Sequence, residues 1–141
     1  MKLLLNISNH TSNKWSDKQK EGWDKIVDIP FPQIDPNATI KDIHNLVADY
    51  LKEIIDNVLI ESDNIIDGID DFNHPIETSI MLQGEFSFCY LLFQLLMNNS
   101  PTDFGFDIVI PTTERKTIET VNSDGTVSKT SIFEFVQWRK I

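Results

Sequence analysis

The chain has 141 residues and a single cysteine, Cys89, which excludes an internal disulfide framework and a multi-cysteine zinc site. Its histidines stand at positions 10, 44 and 74, with neither H-x-x-x-H nor C-x-x-C spacing, so a transition-metal centre is not expected. No apolar stretch reaches the ~18 residues of a membrane-spanning helix. The run Leu3, Leu4, Leu5 is too short for a signal-peptide core, and a soluble protein of a reducing, cytoplasmic compartment is expected. Basic residues are scarce as well: 12 Lys and Arg against 22 Asp and Glu, for a net charge of −10. A long nucleic-acid duplex needs a Lys/Arg stripe to displace its counterions, and the sequence has none.

The acidity is local. Eleven of the acids fall between residues 39 and 85, where they meet only Lys41 and Lys52. Residues 1–38 carry five charges of each sign, and residues 86–141 carry six acids against five bases. A small anionic ligand at a neutral site is therefore compatible with the charge pattern. With 40% hydrophobic and 24% charged residues, the chain has the composition of one packed domain over 1–141.

Periodicity supplies the elements. Residues 2–7 form an apolar run that stops at Ser8, Asn9 and His10, as a buried strand does on entering a loop. Ser16 is a candidate N-cap for a short helix over 17–25, with Trp23 on its inner face. A second strand, 26–29, ends at Pro30, Phe31 and Pro32, which cannot continue a central strand. From Thr39, apolar residues recur at helical intervals over 40–59, and Asp42 completes a cap resembling a capping box. Residues 61–75 are acidic and contain Gly68 and Pro75, which predicts an exposed loop, with Ile65, Ile66 and Ile69 able to add a helical turn.

A third strand, 78–83, precedes a helix over 86–97 that is apolar on nearly every side. Such a helix is expected to be buried on both faces, and in so short a chain this predicts a homodimer. Residues 106–110 predict a fourth strand, stopped by Pro111. Alternation over 115–121 and 130–138 around Asn122-Ser123-Asp124-Gly125 predicts a β-hairpin. The expected class is α/β: a Rossmann-like, mostly parallel sheet with helices on both faces and a C-terminal antiparallel hairpin.

Ligands of such sheets bind beyond the carboxyl ends of the strands. Four segments fall there: 8–15, 30–32, 83–87 and 112–115. They bring Ser8, Asn9, His10, Thr11 and Trp15; Phe31; Gln83, Glu85 and Ser87; and Thr112, Thr113, Glu114 and Arg115. His10 is either a general base or phosphate-positioning group, or a solvated loop histidine. Gly84 either admits a ligand to the backbone at a helix start or serves a tight turn with positive φ, and Glu85 binds a ribose hydroxyl or supports the helix dipole. Trp15, Trp23 and Phe31 stack on a base or pack the core edge, and Arg115 contacts a phosphate or is a hairpin surface charge. Cys89 reads as inert core.

Four strings resemble a known family when taken together: Asn6-x-Ser8-Asn9-His10-x-Ser12-x-x-Trp15-Ser16, Ile26-Val27-Asp28-Ile29-Pro30-Phe31-Pro32, Gly84-Glu85-Phe86-Ser87 and Thr112-Thr113-Glu114-Arg115. They resemble small CRISPR-associated proteins, stand-alone relatives of the CRISPR-associated Rossmann-fold (CARF) sensors. The resemblance implies a homodimeric ring nuclease that holds a cyclic oligoadenylate, usually the tetra-adenylate, across its twofold axis and needs no metal or other cofactor. A ribose 2′-hydroxyl would attack its own 3′-phosphate and leave a 2′,3′-cyclic phosphate. His10, Ser8 and Asn9 are then the expected catalytic residues. Ser12, Trp15, Phe31, Gln83, Gly84, Glu85, Phe86, Ser87, Thr112, Thr113, Glu114 and Arg115 are the expected ligand-binding ones. Two other classes stay open: a module that binds a cyclic nucleotide without cleaving it, and a deoxyribosyltransferase-like enzyme with Glu85 or Glu114 as nucleophile.

Overall fold

A computed structural model of the chain describes residues 1–66, 76–98 and 105–141. Its central strand is β1 (Lys2–Ser8), hydrogen-bonded in parallel to β2 (Lys25–Pro30) on one side and β3 (Glu77–Gln83) on the other. The leucine run belongs there because a strand with neighbours on both sides, covered on both faces, has no polar environment to meet. Leu3, Leu4, Leu5 and Ile7 are all fully buried. Next come β4 (Phe106–Val121), parallel to β3, and β5 (Val127–Lys140), antiparallel to β4, giving the order β2-β1-β3-β4-β5. The fold is α/β with a five-stranded mixed sheet.

Alternation along the strands separates two layers. Leu3, Leu5, Ile7, Ile80 and Ile108 face α2 (Ile40–Ile66) and α3 (Phe86–Asn98), meeting Ile43, Val47, Ile54, Val58, Phe88, Leu92 and Leu96. On the opposite face Leu4, Met81 and Val109 lie under Trp15, Trp23, Ile26 and Trp138. This second layer is aromatic: the Trp138 ring lies 5.6 Å from Trp15, 5.8 Å from Trp23 and 5.3 Å from Phe135. A single-turn helix, α1 (Asp17–Lys20), sits on this side, tied down where Trp138 Nε1 donates to the Gln19 carbonyl at 3.0 Å. No helix among the described residues is long and apolar enough to cross a membrane.

Several expected boundaries move. α1 stops after one turn, not at residue 25, because Gly22 takes a left-handed φ of +88° just past its end. α2 continues to Ile66, so residues 61–66 of the expected acidic loop are helical. No glycine or proline interrupts the chain there, and Glu61 meets Lys25 at 3.6 Å. The rest of that loop, with His74, lies outside the described residues. α3 is not buried on both faces: Phe88, Leu92 and Leu96 form one inward stripe, while Phe86 is 80%, Tyr90 50% and Met97 57% exposed. β4 runs straight through Pro111. Its pairing with β3 covers Phe106 to Val109 only, so Pro111 sits where β4 has one neighbour and a missing donor can be tolerated. Residues 112–115 are therefore strand, not loop.

Candidate functional site

From β1 the chain crosses to the β2 edge, and from β3 it crosses the other way to β4. The loops leaving β1 and β3 diverge, and a crevice opens outside their carboxyl ends. It is a cleft of about 540 Å³ on the tryptophan side of the sheet. Asn9, His10, Lys14, Trp15 and Gln19 form one wall, Met81 and Gln83 the floor, and Pro111, Thr113 and Phe133 the wall supplied by β4 and β5.

A buried polar cluster holds the first wall. Asn6 is 1% exposed at the heart of β1, and a polar side chain so placed must be paired. Its Nδ2 donates to the His10 carbonyl at 2.8 Å and to Asp28 Oδ1 at 2.7 Å, and its Oδ1 accepts from Ser8 Oγ at 2.7 Å. Ser8 Oγ in turn accepts from the His10 amide at 3.1 Å. Trp15 Nε1 adds a further bond to the His10 carbonyl at 3.1 Å. Asp28, opposite Asn6 in register on β2, accepts from the Ser12 amide at 3.1 Å and the Ser12 hydroxyl at 2.9 Å. The β1 loop is thus fastened by its backbone, and among the described residues no partner holds the His10 imidazole.

The turn after β3 is used differently. Glu85 caps α3, its Oε2 accepting from the Phe88 amide at 2.8 Å. That bond holds the carboxyl below the usual carboxylate range. The helix start is thus already supplied with an anion from its own chain. Gly84 does not have positive φ. It is glycine because the Phe31 ring lies over it: a Cβ would sit 2.2 Å from the ring. Phe31 packs edge-on to Phe88 at 5.1 Å and borders a hollow of about 200 Å³ with Ser8, Asn9, Thr11 and Asp28. Phe86 lines an apolar hollow on the opposite face of the sheet with Cys89, Tyr90, Ile110 and Ile141. Burial pushes the Cys89 thiol up to about 11.

Of the residues expected from sequence, Asn9, His10, Trp15, Gln83 and Thr113 share the cleft. Ser8 and Ser12 belong to the cluster beneath it, and Phe31, Gly84, Glu85 and Ser87 to the neighbouring turn. Thr112, Glu114 and Arg115 lie on the hairpin: Thr112 Oγ1 donates to the Gln137 carbonyl at 3.1 Å, Glu114 faces Glu134, and Arg115 faces Phe133. Lys14, Gln19, Met81, Pro111 and Phe133 of the cleft, and Asn6 and Asp28 of the cluster beneath it, are not among the expected residues. Only Asn6 signals itself, as a polar residue inside an apolar run.

A protein-family model matches residues 2–139. The chain belongs to the uncharacterized MJ1673 family. No curated protein matches it, and no solved structure does. What this MJ1673-family chain offers chemically is a cleft with no carboxylate among its described lining residues. Its ionisable lining residues are His10 and Lys14, in a chain of net charge −10. Among the described residues no group of three or more His, Cys, Asp or Glu could hold a metal ion.

Proposed function

We propose that this cleft binds a cyclic oligoadenylate and opens it without metal, as the resemblance to CARF-type ring nucleases implies. One observation carries the reading: in a strongly acidic chain the described residues that line this cleft include no carboxylate, and they offer Lys14, His10 and the amides of Asn9 and Gln83. That lining suits a phosphodiester, whose charge a neighbouring carboxylate would repel. In the proposed step the 2′-oxygen attacks the adjacent phosphorus, forming the P–O2′ bond as the P–O5′ bond breaks. His10 takes the 2′-hydroxyl proton, and Lys14 or the imidazolium supplies one to the departing 5′-oxygen. Asn9, Gln83 and Thr113 donate hydrogen bonds to the phosphate as its charge builds. The exposed apolar side chains on the outer face of α3, Phe86, Tyr90 and Met97, support a homodimer.

The test is incubation with cyclic tri-, tetra- and hexa-adenylate in the presence of a chelator, read by chromatography. The expected product is linear oligoadenylate ending in a 2′,3′-cyclic phosphate. His10→Ala should slow the reaction by about 10²–10⁴-fold while leaving binding nearly intact. Failure to bind any of the three rings overturns the reading. A second reading, binding without cleavage, is favoured by the unpartnered His10 imidazole. Tight binding with the ring recovered whole would select it.

A further inference from the structure

We infer that Phe133 and Arg115 form a second nucleotide subsite at the outer lip of the cleft, so that its ligand spans at least two nucleotides. The inference rests on the nucleotide reading above and adds to it the residues that would hold a second nucleotide. Phe133 lines the cleft and is 69% exposed, although it stands on a strand whose neighbouring aromatic, Phe135, is buried. Arg115 lies directly opposite it in the β4–β5 register, on the same face of the ribbon. Facing side chains on a ribbon stand about 5 Å apart, close enough for one nucleotide to touch both.

The state of the guanidinium points to an anion. Lys116, Lys129 and Lys140 on the same hairpin are each paired with a carboxylate, Glu134, Glu119 and Asp107 respectively. Arg115 is held by a neutral group: its Nε and Nη2 donate to Ser131 Oγ at 3.1 and 2.9 Å. Its charge is therefore oriented along the ribbon without being neutralised, and its remaining N–H donors stay available for phosphate. The Phe133 ring offers a face for a base, and stacking of this kind accepts any base. The inner cleft takes one whole nucleotide, Phe133 the base of the next and Arg115 that second nucleotide's phosphate, along one continuous surface.

The test is calorimetric titration of the full chain with 5′-AMP and with cyclic tetra-adenylate. Phe133→Ala should weaken the ring by about ten- to a hundredfold and leave 5′-AMP unchanged, since 5′-AMP fills the inner cleft alone. Phe133→Leu keeps an apolar strand residue without the ring face and should lose as much. Arg115→Gln should lower the salt dependence of ring binding by about 0.7 in log–log slope, one single-strand phosphate contact. Ile118→Ala, on the opposite face of the ribbon, is the control. If the wild type binds the ring and both Phe133 variants bind it equally well, the subsite is wrong and the nucleotide reading stands. Equal weakening of 5′-AMP, or a shift from dimer to monomer with per-chain affinity unchanged, also overturns it. If the wild type binds neither probe, the nucleotide reading itself falls.

Discussion

Asn6 links the core to the cleft, and removing it should disturb both. Asn6→Ala deletes three hydrogen bonds of 2.7–2.8 Å from a side chain that is 1% exposed. Bonds to neutral groups contribute about 1 kcal/mol each and the one to the Asp28 carboxylate about 2 kcal/mol, so a loss of about 3–5 kcal/mol is expected. The groups left behind are partly compensated: the His10 carbonyl keeps Trp15 Nε1, and Asp28 keeps Ser12. For a domain of this size that loss should lower the melting temperature by about 10–20 °C. Hydrogen exchange adds a local readout, since the His10 and Ser12 amides should lose protection beyond what global destabilisation explains. Asn6→Asp separates geometry from hydrogen bonding. It keeps the shape but sets a second carboxylate against Asp28, and like-charge repulsion raises the folded-state pKa of the introduced group. Its penalty is therefore full at neutral pH, shrinks as pH falls through the raised folded-state value, and is gone below about 3.9, where the group is protonated in both states. The reasoning is refuted if Asn6→Ala melts with the wild type, or if the penalty of Asn6→Asp does not change with pH.

The parts of this structure legible in the sequence are those decided by neighbours along the chain. The apolar run of β1, the helical spacing from Ile40 and the alternation around Asn122–Gly125 each report a local period, and each element forms there, α2 and the hairpin strands running beyond their expected bounds. What could not be read depends on where another strand stops or bends. Pro111 looks like a terminator until β3 is seen to release β4 after Val109. The β4–β5 register shifts between Thr112 and Thr113, two residues before the Arg115–Phe133 pair, and irregularities of this kind change which side chains face each other. No residue near it announces a bulge. The outward face of α3 is a different case: apolarity on all sides states that burial is favoured but not what supplies the cover. The position of the cleft was legible because topology fixes it: the loops after β1 and β3 leave in opposite directions, and His10 and Gln83 stand where they begin. The turn after β3 was ambiguous because Gly84 answers to Phe31, a contact distant in sequence.

Gly84→Ala should destabilise by about 1–3 kcal/mol, because the new Cβ falls 2.2 Å from the Phe31 ring and drives it off Phe88; a melting curve matching the wild type would contradict this. Acid should loosen the start of α3: the Glu85 carboxyl titrates below its ordinary 4.5 when folded, chiefly through its bond from the Phe88 amide. Its contribution is present above that ordinary value and is lost as pH falls through the lower, folded one, so Glu85→Gln should flatten the acid limb of the stability curve. Two tryptophans of one cluster differ in their hydrogen bonding. Trp23 Nε1 is buried with no hydrogen-bond partner among the described residues, whereas Trp138 Nε1 donates to the Gln19 carbonyl at 3.0 Å. Replacing an unsatisfied donor by an apolar ring removes a desolvation penalty, while replacing a satisfied one strands its acceptor at about 1 kcal/mol or more. Trp23→Phe should therefore melt at or above the wild type, offsetting the smaller ring, and Trp138→Phe clearly below it. If thermal denaturation shows equal losses for both, ring size alone governs this face of the sheet and the hydrogen bond to Gln19 contributes nothing.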